Sequence, residues 1–287
     1  MKIRFIINPI AGTGKQKGIE DYISENFKNA DIKYTQKSED ATTLSKEAVN
    51  NNFDAVIAIG GDGTINECLK GLVNSNTALG VIPCGSGNGF AYHLGMSSSI
   101  KEAISQLKDI TIQTIDTCTT NNMPFMNVSG IGFDAHIANL FSNIKTRGFM
   151  SYIKLVINEL NYQPQEYSIT YNNNTRNVSA YMISFANASQ YGNNAKISPK
   201  SDITDGLIDF VIVKVFPKWK IPLFLLKLMN GKLHHSNYVE IIKSNYMQIH
   251  TNSNLIHLDG EPKEINTPIE IKLLPSSLKI LKPNEKR

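Results

Sequence analysis

The stretch AVIAIGGDGTINECLKG, residues 55–71, decides the fold. Its first five residues are apolar without alternation, the pattern of a strand buried on both faces of a parallel sheet. Two glycines end the strand, and Ile65 to Val73 carry helical spacing, with Thr64 as the expected N-cap. Such a strand–loop–helix unit presents the free N–H groups of the helix's first turn at the carboxyl end of the strand, where they favour an anion. Glycine suits the loop because a ligand can then approach the backbone without meeting a Cβ. Asp62, in the same loop, would repel a phosphate unless a Mg²⁺ ion or a sugar hydroxyl lay between them.

Two more loops of this kind flank the first. NPIAGTG, residues 8–14, follows the strand candidate Lys2 to Ile7, and PCGSGNGFA, residues 83–91, follows the candidate Ala78 to Ile82. All three leave carboxyl ends of strands, so all three meet one edge of the sheet, where open α/β sheets bind ligands. Neither flanking loop has the Walker spacing or the full dinucleotide fingerprint. Helices are expected over Lys15 to Phe27, Ala41 to Asn50 and Ser98 to Leu107, with a short strand over Ile32 to Thr35. This alternation predicts an α/β domain over 1–110, a three-layer structure around a parallel sheet.

Beyond Ile110 strand follows strand, from Thr111–Thr119 to Leu278–Leu281, with asparagine-rich turns such as TNNM and YNNNTRN between several of them. Asparagine tolerates the positive φ of tight hairpins. Residues 111–287 therefore read as an all-β, antiparallel sandwich domain, whose last strand has the option of returning to the first domain. Helices are expected near Asp134 to Asn143, Ser151 to Leu160 and Ile221 to Met229. The third carries the lone Trp219 at its start and is read as packed on the sandwich, with a membrane-edge anchor as the alternative.

The bulk numbers agree with this plan. A chain of 287 residues, 41% hydrophobic and 19% charged, suits two globular domains. Three cysteines without paired spacing argue against a disulfide framework or a zinc cluster and point to a reducing cytoplasm. No apolar run is long enough for a signal peptide or a membrane span. The net charge of +4 permits anionic partners, nucleotide phosphates or an acidic lipid surface among them, without demanding any. His93, His234, His235, His250 and His257 lack ligand spacing and read as surface or interface residues. Asp134, in GIGFDAH at 130–136, reads first as an acid at a helix start. Lys145–Arg147 and Lys214 to Lys220 read as solvated faces.

Taken together, Asn8-Pro9…Gly12, Gly60-Gly61-Asp62-Gly63-Thr64, Pro83-Cys84-Gly85-Ser86-Gly87-Asn88, DGLID at 205–209 and LDGE at 258–261 resemble the diacylglycerol kinase and sphingosine kinase superfamily. The likeness covers nearly the whole chain. It implies a nucleotide domain and a β-sandwich with the active site in the cleft, and ATP and Mg²⁺ as cofactors. It puts Asn8, Gly12, Thr35, Gly60, Gly61, Asp62, Gly63, Thr64, Asn66 and Ser86 around ATP. It makes Glu261 the catalytic base, with Asp259 its neighbour or rival and Asp62 acting through the metal. KSDITDGLID, at 200–209, resembles a bacterial structural-magnesium loop with Asp202, Asp205 and the Leu207 carbonyl as ligands; the simpler reading is an Asp-Gly turn. The acid of GIGFDAH would join a Mg²⁺–water network. Gly89 breaks the Asn-Asp pair of many bacterial diacylglycerol kinases, which leaves the substrate open. The implied activity is a lipid kinase acting on diacylglycerol or a sphingoid-type alcohol. Its expected partners are that lipid and, transiently, the inner membrane face, with no nucleic acid and a homodimer as an option. The alternatives are an NAD kinase, which shares GGDGT, and a non-catalytic nucleotide- or lipid-binding regulator.

Overall fold

The computed structural model describes residues 1–12, 16, 18–144 and 149–284, with the backbone alone at 149 and 150. The end of the first glycine loop, Lys15 and the Lys145–Arg147 group lie outside the described residues. The chain divides into two compact units, one formed by 1–117 together with the C-terminal segment from 275, the other by Cys118–Leu274. The first unit thus extends beyond Ile110, the boundary expected from sequence.

The first unit runs β1 (Ile3–Ile7), α1 (Glu20–Asn26), β2 (Asp31–Tyr34), α2 (Asp40–Asn50), β3 (Ala55–Gly60), α3 (Asp62–Leu72), β4 (Ala78–Pro83), α4 (Gly89–His93), α5 (Ile100–Gln106) and the start of β5 (Ile110–Thr120). Its four leading strands are parallel in the order β4-β3-β1-β2. All six residues of β3 and all six of β4 are buried, as their unalternating apolar sequence requires. The chain crosses outward from β1 to β2 and back from β2 to β3. Right-handed crossovers therefore put α1 and α2 on opposite faces. The packing agrees: α1 meets α5, where the Tyr22 hydroxyl lies 2.9 Å from Ser105 Oγ, and α2 meets α3, where Thr42 Oγ1 donates to the Glu67 carbonyl at 3.0 Å. The strand order reverses between β1 and β3, so the loops after these two strands open at the switch point.

The second unit runs β6 (Met123–Phe125), β7 (Val128–Gly132), α6 (Phe133–Ser142), α7 (Phe149–Asn158), β8 (Gln165–Tyr171), β9 (Asn174–Ala186), β10 (Ile208–Lys214), α8 (Ile221–Met229), β11 (Val239–Ser244), β12 (Tyr246–His250), β13 (Leu255–Leu258), β14 (Glu261–Glu264) and the start of β15 (Ile269–Pro283). The strand pairs described within it are antiparallel, in the path β14-β13-β7-β9-β8-β12-β15, with β10 beside β9 and β11 beside β10. The asparagine turns behave as expected. Asn121-Asn122 and Asn172-Asn173 all have positive φ and close two-residue hairpins. Side chains from both halves of this sandwich fill one core, including Phe125, Tyr167, Phe185, Phe210, Ile249 and Ile271.

The end of β15 belongs to the first unit, where Ile280 pairs in parallel with Leu79 of β4. Its entry there is fixed by polar bonds within that unit. Ser276, at φ 48°, donates its N–H to Asp116 Oδ1 at 2.7 Å, and the Thr117 and Ser277 hydroxyls meet at 2.7 Å. Two helix starts differ from expectation. Helix α1 begins at Glu20. Helix α3 begins at Asp62 with Gly61 as its N-cap, so Thr64 lies inside the first turn and its side chain serves another purpose. Among the described residues, no helix is long and apolar enough to cross a membrane.

Phe210 is fully buried, with its ring centroid 5.9 Å from that of Phe185. Phe210→Ala should destabilise the second unit by about 3–5 kcal/mol, read from denaturant unfolding.

Candidate functional site

Three loops meet at the carboxyl edge of the parallel strands. Asn8 follows β1 and donates from Nδ2 to Thr64 Oγ1 at 3.0 Å, which explains the burial of Thr64 inside α3. Gly12, at φ 58°, lies so close to the third loop that a Cβ there would stand 1.8 Å from the Cys84 carbonyl oxygen. Gly61 and Gly85 face each other; a Cβ on Gly85 would come within 2.5 Å of Gly61 Cα. The loops thus touch through backbone, a closeness no side chain permits. Thr35, just past β2, is buried and donates its N–H to the Ile7 carbonyl at 3.0 Å. Asn66 is buried on α3, and Ser86 sits in the third loop. The structure therefore brings the ten nucleotide residues expected from sequence to one edge of the first unit.

Asp62 has a role the sequence did not disclose. Its Oδ2 accepts the Asn88 N–H at 2.8 Å and its Oδ1 the Gly89 N–H at 2.9 Å. One carboxylate thereby ties the second loop to the third and caps the start of α4. Bonds of this charge-assisted kind are worth about 1.5–3 kcal/mol each. Asn88 closes the third loop on itself, accepting from Gly85 N at 2.7 Å and donating to the Gly85 carbonyl at 2.9 Å. Gln16, also missed from sequence, is buried and donates to the carbonyls of Asn8 and Ala11, which holds the first loop.

These residues fit a phosphate chain. The first bond inside α3 is Ile65 N–H to the Gly61 carbonyl, so the N–H groups of Asp62, Gly63 and Thr64 have no partner within the helix. This first turn of α3 lies where the loops meet. Asp62 is the sole acid in the three loops, and two amides already offset its charge. A carboxylate is the ligand type that suits a hydrated Mg²⁺ beside phosphates.

In the second unit, Asp259 and Gly260 form the two-residue turn between β13 and β14, at φ 49° and 90°. Asp259 is buried, and its carboxylate accepts the N–H groups of Met126 at 3.2 Å and Asn127 at 2.9 Å. Its own N–H donates to Ser129 Oγ at 3.1 Å. Glu261, in contrast, is exposed at the head of β14. His257 is not a surface residue: it is 2% exposed, and its Nδ1 accepts the Gly260 N–H at 3.2 Å. That bond assigns the ring proton of neutral His257 to Nε2, which faces Asp134 Oδ2 at 3.3 Å. Asp134 also accepts from Ser184 Oγ at 2.9 Å, the Tyr191 hydroxyl at 3.1 Å and Ala135 N–H at 2.9 Å. Burial first, then the Asp134 charge, hold the Tyr191 phenol well above its ordinary pKa, so it stays a donor. Asp134 is thus more than a helix-start acid. It centres a buried polar cluster that reaches the 258–261 turn through His257. The partners are far apart in sequence, and only the ladder of β13, β7 and β9 brings them together.

The 202–207 loop leads into β10. Asp202 Oδ1 accepts the N–H and hydroxyl of Thr204 at 2.9 and 2.7 Å. Asp205 accepts the Leu207 N–H at 3.0 Å and the Lys243 ammonium at 3.0 Å. Lys243 also reaches buried Asp209 at 3.3 Å. Burial works to lower the Lys243 pKa, but the Asp205 hydrogen bond and the Asp209 charge outweigh it and raise the value. Lys243 thus places a positive charge beside this loop. Among the described residues, no group of three or more His, Cys, Asp or Glu is placed to hold a metal.

Fold and site define a class: a two-unit protein whose parallel α/β unit gathers three glycine loops at its strand ends. Comparison with known proteins sets the family. Residues 2–120 match the diacylglycerol kinase catalytic domain, and residues 127–282 match the YegS C-terminal NAD kinase beta sandwich-like domain. The chain belongs to this family of lipid and diacylglycerol kinases. It is 30% identical over 300 residues to a Streptococcus pneumoniae protein named "Putative lipid kinase", covering 99% of each chain. It is 28% identical over 273 residues to a diacylglycerol kinase of Bacillus subtilis, covering 91% of this chain and 89% of the relative. A Bacillus anthracis crystal structure described as "a putative diacylglycerol kinase" shares the fold, with a TM-score of 0.81 over 98% of this chain and 95% of that one, at 24% identity.

Gly85→Ala should cost the first unit about 1–3 kcal/mol in chemical denaturation, because backbone atoms must part to admit the methyl group; Ser86→Ala, in the same loop, should cost far less. In the second unit, Lys243→Met should lower the thermal midpoint by roughly 2–4 °C, whereas a chelator should leave the midpoint of the unmodified protein unchanged. The raised Lys243 pKa means this contribution is complete below the ordinary lysine value and is lost as pH climbs through the raised one.

Proposed function

We propose that this chain is an ATP- and Mg²⁺-dependent lipid kinase that transfers the γ-phosphoryl group to the hydroxyl of a diacylglycerol or sphingoid-type alcohol. One observation carries the reading: three glycine loops meet by backbone contact at the open start of α3, in a unit that matches a diacylglycerol kinase catalytic domain. The Bacillus subtilis relative bears that activity in its name, which supports a lipid alcohol as acceptor.

The amides of Asp62, Gly63 and Thr64 bind the phosphates, and Asn8, Gly12, Thr35, Gly60, Gly61, Asn66 and Ser86 surround and orient the nucleotide. Phosphoryl transfer depends chiefly on such positioning and on stabilising charge on the phosphoryl oxygens. Asp62 would hold the Mg²⁺, which would supply charge neutralisation of the phosphates there. Glu261 accepts the proton of the attacking hydroxyl. Its exposure favours it over Asp259, whose two oxygens already hold backbone amides of Met126 and Asn127. Asp259 instead fixes the turn that presents Glu261.

The test is incubation with γ-³²P-ATP and a panel of lipid alcohols, followed by chloroform extraction. Label should enter the chloroform phase. Label in the aqueous phase with NAD as acceptor would replace this reading with an NAD kinase, and ATP binding without turnover on any acceptor would replace it with a regulator. Glu261→Gln should lower kcat roughly 10²–10⁴-fold with ATP affinity unchanged. Asp62→Ala should lose both ATP affinity and turnover, since it frees the third loop as well as the metal.

A further inference from the structure

Between Asp209 and Glu240 the chain has no acidic residue and five lysines: 214, 218, 220, 227 and 232. Helix α8 lies in this stretch. Its inner side is anchored: Phe224 stacks on Phe216 at 5.2 Å between ring centroids, and Phe224 and Leu228 pack against the buried group that includes Val211, Val213 and Leu233. Its outer side has no cover. Trp219 is 76% exposed, Leu223 51% and Leu226 58%, and Val215 before the helix is 46% exposed. Four large apolar side chains thus face solvent within twelve residues, while the other exposed ones among the described residues are scattered. The packed helix expected from sequence holds for one face only, and the surface that faces outward is both greasy and cationic.

The lysines keep their charge available. Lys218 donates to Asn161 Oδ1, Lys220 to the Tyr238 hydroxyl and Lys227 to the His235 carbonyl, all neutral acceptors. Lys214 alone of the five is paired with a carboxylate in the described contacts, that of Glu240 at 2.8 Å. Lys220 also lies 5.1 Å from the Trp219 ring centroid, so indole and ammonium form a single amphipathic tip.

We propose that this face, centred on Trp219, Leu223 and Leu226 and ringed by Lys218, Lys220 and Lys227, is the surface by which the protein docks on an anionic phospholipid bilayer. The apolar side chains enter the acyl boundary, the indole sits at headgroup depth, and the ammonium groups meet lipid phosphates. A second copy of the chain is the weaker occupant, because pairing two such faces would oppose two sets of Lys218, Lys220 and Lys227, none of which has a carboxylate partner in the described contacts. The inference rests on the lipid-kinase reading in one respect: a substrate dissolved in a bilayer gives the docking a purpose.

The test is co-sedimentation of the full chain with vesicles of phosphatidylcholine alone and of equal parts phosphatidylcholine and phosphatidylglycerol, at low and high salt. The protein should pellet with the anionic vesicles and be released by salt. Trp219→Ser/Leu226→Ser should weaken partitioning tenfold or more, as expected for losing two buried apolar side chains. Lys218→Gln/Lys220→Gln/Lys227→Gln should weaken it by about fivefold per lysine. Trp219 and Leu226 are exposed, so the apolar variant's thermal melt should match the unmodified protein; Lys220 and Lys227 also bond Tyr238 and the His235 carbonyl, so the lysine variant is compared at matched stability. Phosphorylation of a short-chain, water-dispersed diacylglycerol should be unchanged in both variants, while that of a long-chain one in vesicles falls. Equal pelleting of variants and unmodified protein overturns the proposal, as does failure of the unmodified protein to bind anionic vesicles. A dimer that the apolar variant dissolves, with vesicle binding intact, also overturns it and assigns the face to a second copy. Vesicle binding that depends on these residues in a protein that phosphorylates no lipid would instead sustain the docking surface and remove the lipid-kinase reading.

Discussion

Contact between bare backbones organises the first unit. Gly12 rests on the Cys84 carbonyl, and Gly61 faces Gly85, at distances where a single methyl group would collide. Three loops that arise far apart in sequence thereby become one surface. Asp62 completes the junction by accepting two amides of the third loop on its two oxygens. Once the loops are joined, the first turn of α3 stands at the switch point of the sheet, where helix geometry favours an anion. The same constraint explains why Thr64 is buried: its hydroxyl accepts from Asn8, linking the first loop to the second.

The second unit is organised differently, around a tightly fixed turn that is followed by the exposed Glu261. Asp259 and Gly260 occupy the left-handed region that a two-residue hairpin demands. The Asp259 carboxylate then reaches back to the Met126 and Asn127 amides, and His257 holds Gly260 from the side while facing Asp134. A buried carboxylate surrounded by donors of this kind is stable only as a complete set, because an unpaired charge in the interior is costly. Ser184, Tyr191 and the Ala135 amide supply the hydrogen bonds of that set, and His257 Nε2 stands 3.3 Å away. The polar interior of the sandwich thus supports the turn that carries Glu261. Lys243 plays a comparable part elsewhere in the unit, meeting Asp205 and the buried Asp209.

Much of this was legible in the amino-acid order, for local reasons. Unalternating apolar runs marked β3 and β4. Glycines at strand ends marked the loops. Paired asparagines marked the β5–β6 and β8–β9 turns through their tolerance of positive φ. Helix α8 was found at its true bounds because its apolar run follows a proline-started turn. What sequence concealed were bonds between distant residues. Nothing beside His257 in the chain announces Asp134, and nothing beside Asp62 announces Asn88. The outer face of α8 was concealed for the opposite reason: an apolar run looks alike whether one side or all sides are covered.

The sequence by itself determined the two architectures, the three glycine loops and the family, because strand period, glycine freedom and turn chemistry act over a few residues. Tertiary structure alone decided which oxygens remain free for chemistry and which are spent on holding the fold. Asp62 and Asp259 bind backbone amides while Glu261 stands in solvent, and that division depends on hydrogen-bond partners 26 to 133 positions away in the chain, brought within reach only when the strands pair.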